Sequence, residues 1–179
     1  MSTVMVVPQA GDEALAHEVL VHLDEQLVAA RRLLQVVLEQ GVAIRRRDVR
    51  GVVELTGALQ VELQSRHVLE GERTALLQRA GARLGVVSAS VTLELLESLM
   101  DEATAERARA LSAELRGLLE VVQREHYCNR ALMSQELAFL DHLLGLAGMG
   151  GDAGYGAGGD RVAASAAQPS GHRMLDLAV

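Results

Sequence analysis

The most recognisable chemical pattern lies near the end of the chain, where residues 154–159 read Gly-Tyr-Gly-Ala-Gly-Gly. This order satisfies the G-x-G-x-x-G pattern of dinucleotide-binding loops, in which glycines let the backbone approach a pyrophosphate. Such a loop needs a strand before it and a helix after it, and the Gly- and Ala-rich flanks have the pattern of neither. We interpret the match as a chance feature of a glycine-rich tail and predict no bound cofactor.

Histidine and carboxylate side chains give no better case for a catalytic or metal site. None of the following histidines has another histidine four residues away: His17, His22, His67, His126 and His142. Glu125 and Asn129 lie one helical turn apart, but the repeated Glu-x-x-His pattern of di-iron bundles is missing. The spacing favours a polar layer in a helical seam over a metal site. With no nucleophile elbow or phosphate loop either, we predict a protein that is not an enzyme and has no catalytic residues.

Composition favours long packed helices and excludes several classes of protein. The 179 residues include three aromatic side chains, Tyr127, Phe139 and Tyr155, so Leu, Val and Ala must form the core, as they do where helices meet along seams. The net charge is −7 and every basic residue is Arg. Because these Arg residues are scattered apart from a cluster at 45–50, nucleic acid is not an expected partner.

The sequence also predicts a cytoplasmic protein. Cys128 is the single cysteine, which excludes an intramolecular disulfide. Residues 1–10 lack the basic start and long apolar run of a signal peptide, and no stretch of about 18 apolar residues could span a bilayer. We expect a soluble, unexported chain that is not embedded in a membrane.

The sequence pattern of residues 13–84 predicts a helical hairpin. Apolar residues that step by four and three predict a helix over 13–40, with Asp12 as its N-cap and Gly41 as its C-cap: Ala16, Leu20, Leu23, Leu27, Ala30, Leu34 and Val37. A second helix is predicted over 48–84, capped by Asp48 and ended by Gly85, with this inner face: Val52, Leu59, Leu63, Leu69, Leu76, Ala80 and Leu84. Their short connection makes the two helices antiparallel neighbours. A brief amphipathic segment follows, with Leu93, Leu96 and Leu99 on one face.

A third long helix, predicted over 104–147, has a coiled-coil seam with a polar interruption. The seam consists of Ala108, Leu111, Leu115, Leu118, Val122, Glu125, Asn129, Leu132, Glu136, Phe139, Leu143 and Leu146. We expect the half before Glu125 to pack within the chain. The half after it, widened by Leu140 and Leu144, carries more apolar surface than the rest of the chain can cover.

Together these patterns predict an all-α fold, an antiparallel bundle of long, coiled-coil-like helices followed by a glycine-rich tail. We divide the chain into an N-terminal arm (1–11), a helical domain (12–148) and a flexible tail with a docking motif (149–179). The tail offers little apolar surface to offset the entropy lost on ordering it. Its apolar end, residues 174–179, is either a short docking segment or a segment without a role.

Three segments, in this order, resemble the FlgN family of flagellar export chaperones. The first has Leu59 and Leu63 followed at 69–77 by Leu-Glu-Gly-Glu-Arg-Thr-Ala-Leu-Leu; the second begins at 129 with Asn-Arg-Ala-Leu and continues to Leu144. The third is Tyr-Gly-Ala-Gly-Gly at 155–159. The resemblance spans roughly residues 15–159, although the glycines of the second helix and the Ala-rich tail depart from the family pattern.

The resemblance implies a cytosolic, non-enzymatic chaperone of the flagellar type III export system. Members of the family bind the C-terminal helices of the hook-associated proteins FlgK and FlgL and deliver them to the export gate. Residues implied to contact the client are Asn129, Leu132, Phe139, Leu140, Leu143 and Leu144, and Tyr155 matches the tyrosine linked to the export-gate protein FlhA. The alternative interpretation of the same seam is a structural or regulatory coiled-coil protein that associates with itself.

Overall fold

A computed structural model of the chain describes residues 10–146. The elements, in order, are α1 (Ala10–Arg45), α2 (Val49–Leu84), a 3₁₀ turn (Ser88–Ser90), α3 (Leu93–Glu97) and α4 (Glu102–Leu146). No strand occurs among these residues, so the predicted all-α fold with three long helices is confirmed. The short helix α3 coincides with the predicted amphipathic segment.

Local capping chemistry confirms both predicted ends of α2 and also fixes the start of α4. The Asp48 side chain accepts a hydrogen bond from the Gly51 amide at the start of α2, and Gly85 ends α2 with a φ of 70°, a left-handed conformation that glycine adopts without strain. At the start of α4, the Thr104 amide donates to Asp101 Oδ1 at 2.7 Å. Hydrogen bonds from Thr104 lower the pKa of Asp101 because they stabilise its carboxylate form.

The predicted ends of α1 are wrong. Helix α1 begins at Ala10, so Asp12 lies in its first turn, and the Asp12 carboxylate accepts from Arg83 Nε of α2 at 2.6 Å. At the other end, α1 continues through Gly41 to Arg45. Gly41 is buried inside the helix, where its missing Cβ makes room for α4.

Polar side-chain pairs between α1 and α2 show that the two helices are antiparallel, as predicted. As the residue number in α1 rises, the number of its partner in α2 falls: Asp12 pairs with Arg83, Glu18 with Arg79, Arg32 with Glu62 and Gln40 with Thr56. The backbones of these two helices approach each other more closely than those of any other pair of helices in the described residues. The hairpin is therefore the framework against which α4 packs.

Helix α4 runs parallel to α1. Contacts between them advance in the same direction along both helices: Asp24 with Arg107, Arg31 with Glu114, Val37 with Asn129 and Arg47 with Glu136. The loop and α3 between Gly85 and Glu102 provide the return path that this orientation requires. No helix in the described part of the chain is long and apolar enough to cross a bilayer.

Two apolar clusters form the core. The first, near the start of α1, joins α1, α2 and α3 through Leu15, Val19, Leu76, Ala80 and Leu96. The second joins α1 and α4 through Leu33, Val37 and Val122, with Leu34 and Leu59 packed against it. Contacts divide the chain into two units, Met1–Glu136 and Leu137–Val179, and α4 contributes residues to both.

Candidate functional site

Helix α4 begins as a core helix. Ala105, Ala108 and Val122 are buried, and the seam leucines Leu111, Leu115 and Leu118 are half-buried. Small side chains at 105 and 108 allow a close approach between this part of the helix and its neighbours. This half of α4 therefore contributes to the stability of the bundle, as its seam predicts.

The polar layer is centred on Asn129. This side chain is 2 % exposed, and its Nδ2 donates to the Val37 carbonyl of α1 at 2.7 Å. A Cβ built on Gly41, one turn further along α1, would lie 2.6 Å from Asn129 Oδ1. The absence of a side chain at position 41 is therefore what lets the amide reach the α1 backbone.

Other polar groups are buried in the bundle. Gln40 is 2 % exposed, and its Nε2 donates to Thr56 Oγ1 of α2 at 3.2 Å. Within the described residues, Gln40 Oε1 and His126 Nδ1 are buried without a hydrogen-bond partner. A buried polar group costs stability unless it is paired, and the paired amides of Asn129 and Gln40 join α4 and α2 to α1.

Beyond Glu136 every described residue of α4 is exposed. Six of these ten residues are large and apolar: Leu137 63 %, Phe139 50 %, Leu140 50 %, Leu143 43 %, Leu144 47 % and Leu146 72 % exposed. At 100° per residue they form two adjoining rows, one of Leu137, Leu140 and Leu144 and the other of Phe139, Leu143 and Leu146. We call these six residues the terminal apolar face.

The terminal apolar face covers about half of the helix circumference, which is wider than the seam of a two-stranded coiled coil. The opposite side carries small or polar residues: Ala138, Asp141, His142 and Gly145. Full burial of a leucine side chain contributes about 1.5–3 kcal/mol. The face therefore exposes apolar side chains whose burial would be favourable.

The structure brings together four of the six predicted client-contact residues. Phe139, Leu140, Leu143 and Leu144 lie on the terminal apolar face, whereas Leu132 is half-buried one to two turns earlier. Asn129 is in the bundle interior, bonded to α1. Tyr155, predicted to dock on the export gate, lies outside the described residues.

Sequence reasoning did not include Leu137 in the site. Leu137 does not belong to the four-and-three seam that was followed from Ala108, yet it lies seven residues before Leu144 and three before Leu140. Reading the helix as a wide stripe instead of a single seam would have found it. Leu146 was recognised as a seam residue but not as a contact.

The described residues present no constellation suited to covalent or acid–base chemistry on the terminal apolar face. One group of His and carboxylate side chains within the described residues could hold a metal ion, and it consists of His22, Glu25 and Glu72 on the α1–α2 hairpin. The protein thus combines a helical bundle with an exposed apolar helix end, which places it in the class of all-α helical-bundle proteins.

Comparison with protein-family models identifies this class further. The model described as FlgN protein matches residues 10–162, which is most of the chain. The chain belongs to the FlgN family, whose members are flagellar export chaperones. A search of curated proteins and a search of solved structures each returned no match.

Proposed function

We propose that this chain is a cytosolic export chaperone that binds the C-terminal helices of the hook-associated proteins FlgK and FlgL and delivers them to the type III export gate. The observation that carries this proposal is the terminal apolar face, six large apolar side chains on ten consecutive exposed residues. Membership of the FlgN family supports the export role.

The physical basis of this proposed function is that client binding would bury apolar side chains that are exposed in the free protein. An amphipathic client helix laid against the terminal apolar face would bury leucines that are exposed in the free protein, in the way that helices dock into apolar grooves. If the client segment folds as it binds, the entropy cost of its ordering keeps the affinity moderate. Moderate affinity suits a chaperone, because the client must be released at the export gate.

Asn129 and Leu132 would act at the base of this surface. The bond from Asn129 to the Val37 carbonyl fixes α4 on α1 about two turns before the terminal apolar face begins. Leu132 is half-buried and has part of its side chain available to a client. In this proposal Asn129 positions the binding helix, and Leu132 extends the contact.

Tyr155 would act in a later step, as the residue that docks on the export-gate protein FlhA. A tyrosine provides a large amphipathic contact at a low cost in side-chain entropy, which explains its frequency at interface anchors. We expect Tyr155→Ala to reduce binding to the cytosolic domain of FlhA and secretion of hook-associated proteins, with client affinity unchanged. Tyr127→Ala, which alters a tyrosine that is 73 % exposed on α4, is the matched control. Normal secretion by the Tyr155→Ala protein would contradict this role.

Self-association through the same face is the second candidate function, because a second copy could cover the exposed leucines equally well. Size-exclusion chromatography with light scattering separates the two candidates when the full chain is measured alone and with a FlgK or FlgL C-terminal peptide. Client binding predicts that the peptide adds to the mass and that calorimetry detects heat. A dimer whose mass and heat are unaffected by either peptide would favour self-association.

A further inference from the structure

A histidine and two glutamates from the first two helices converge on one point of the hairpin. One ring nitrogen of His22 and one carboxylate oxygen from each of Glu25 and Glu72 lie within 4.8 Å of one another. A tetrahedral ion with bonds of about 2.1 Å holds its ligand atoms roughly 3.4 Å apart. Small side-chain rotations would therefore bring all three atoms into one coordination sphere.

The surroundings of these atoms leave room for an ion and its waters. An open groove of about 370 Å³ runs beside them, lined by His17, Glu18, Val21, His22, Glu25, Glu72, Leu76 and Arg79. Arg79 brings a positive charge to this groove, but its guanidinium is paired with Glu18 at 2.6 Å. Arg73, another cation near His22, is paired with Glu70 at 3.6 Å, so neither guanidinium is paired with Glu25 or Glu72.

His22 differs from an ordinary surface histidine because it is held in place. It is 9 % exposed, and the Gln26 side-chain nitrogen lies 2.7 Å from its Nε2. Turning the Gln26 amide by 180° places its oxygen beside an Nε2–H and leaves the Nδ1 lone pair for a ligand, the arrangement by which a hydrogen-bonded neighbour orients a metal-binding imidazole.

We propose that His22, Glu25 and Glu72 form a binding site for a divalent transition metal ion, with Zn²⁺ as the best match, that links α1 to α2. One imidazole nitrogen and two carboxylate oxygens form the three-ligand set of open zinc sites, and the groove supplies water for the remaining position. His22 and Glu25 share a face of α1 at i,i+3 spacing, whereas Glu72 comes from α2. Binding therefore requires the folded hairpin and must stabilise it.

The test uses the full chain without a histidine tag and with Zn²⁺ as the probe. At a Zn²⁺ concentration about 100 times its Kd, the thermal midpoint should rise by roughly 5 °C. Titration calorimetry should give one ion per chain. Co²⁺ in place of Zn²⁺ should give the visible absorption of a four- or five-coordinate ion, which hydrated Co²⁺ lacks at that intensity.

Two conservative variants and a matched control assign the ligands. Glu25→Gln and Glu72→Gln each remove one carboxylate at an exposed position, so their folds should be unaltered, and each should weaken Zn²⁺ binding at least tenfold and abolish the Co²⁺ band. Glu70→Gln makes the same charge change two residues away on α2 and should bind Zn²⁺ as the unaltered chain does. A chain whose thermal midpoint does not respond to 1 mM Zn²⁺ would overturn the proposal. Equal weakening by Glu70→Gln would also overturn it, because the effect would then be one of overall charge and not of ligation.

Discussion

The two parts of α4 contain similar residues in opposite environments. Before Glu136 the helix buries Ala108 and Val122 and pairs Asn129 with α1; from Leu137 to Leu146 every side chain is exposed. Both parts are rich in leucine, and both have helical periodicity. What differs is the availability of a partner, since the first part has the α1–α2 hairpin and the second displays its apolar face to solvent.

This difference shows that hydrophobic periodicity predicts where a helix can pack but not what it packs against. Isolated exposed apolar residues are ordinary on protein surfaces, but a continuous apolar face marks an interaction site. The exposed valines of α2 illustrate the ordinary case: Val61 and Val68 are 67 % and 56 % exposed, and the residues between them on the same face of the helix, Gln64 and Ser65, are polar. The terminal apolar face has six large side chains in ten residues and is continuous, and our proposal assigns it to client binding.

The largest difference in stability should appear when a negative charge is placed in the first part of α4 in one variant and in the second part in another. Val122→Asp buries an unpaired carboxylate in the second core cluster and should lower the free energy of unfolding by about 3–5 kcal/mol. Leu144→Asp changes an exposed position and should alter it by less than about 0.5 kcal/mol. Urea unfolding followed by circular dichroism measures both. Similar losses from both substitutions would mean that the two parts of α4 do not differ as described.

A smaller difference in stability is expected between substitution of a glycine that contacts α4 and substitution of a glycine that does not. Gly41→Ala places a Cβ 2.6 Å from Asn129 Oδ1 and should destabilise the protein by about 1–3 kcal/mol. Gly71→Ala meets no atom within 4 Å and should stabilise it by about 0.4–1 kcal/mol, because alanine favours the helix. Thermal unfolding of the two variants gives the comparison.

Positions 41 and 129 allow a double-mutant cycle. Asn129→Ala removes the oxygen atom with which the Cβ of Gly41→Ala would clash. Gly41→Ala should therefore lower the free energy of unfolding less in the Asn129→Ala background than in the unaltered chain. Strictly additive losses would show that Gly41 is required for a reason other than the approach of Asn129.

The smallest effect concerns the start of α4, far along the helix from its exposed end. Hydrogen bonds from Thr104 lower the pKa of Asp101 below its ordinary value of 3.8. A carboxyl group with a lowered pKa in the folded state stabilises the fold above its unfolded pKa, and this stabilisation is lost as the pH falls through the folded value. Between pH 5 and pH 2 the unaltered chain should therefore lose more stability than Asp101→Asn, whose amide can still cap the helix but does not titrate. Parallel pH profiles for the two proteins would contradict this account of the cap.

The sequence predicted the features that depend on nearby residues. Periodicity identified three long helices, and cap chemistry located Asp48 and Gly85, because these signals lie within a few residues of the structure they specify. Gly41 was interpreted as a helix end because its role depends on Asn129, 88 positions later in the sequence. The parallel course of α4 relative to α1 and the approach of Glu72 to His22 likewise depend on how the helices associate, which local patterns do not encode.

The candidate client-binding site likewise has residues that the local sequence pattern predicted and residues whose position depends on how the helices associate. The leucines from 140 to 144 were predicted as client contacts because they extend a periodic stripe and because the resemblance to FlgN proteins implies a function for it; the structure shows that they are exposed. Leu137 was missed because one seam was followed where the helix has two apolar rows. The burial of Asn129 depends on a backbone carbonyl of another helix, so its place inside the bundle emerged only from the structure.

The most direct test of the central claim, that the terminal apolar face is a client-binding surface and not part of the core, is the double variant Leu140→Ala, Leu143→Ala. Its thermal midpoint and its affinity for a FlgK or FlgL C-terminal peptide should be measured on the same preparation, with Val61→Ala, Val68→Ala as the matched exposed pair. The account predicts an unaltered thermal midpoint for both proteins and a roughly 100-fold loss of client affinity for the leucine variant alone. A leucine variant that loses its cooperative unfolding, or that binds the client as tightly as the valine control does, would contradict it.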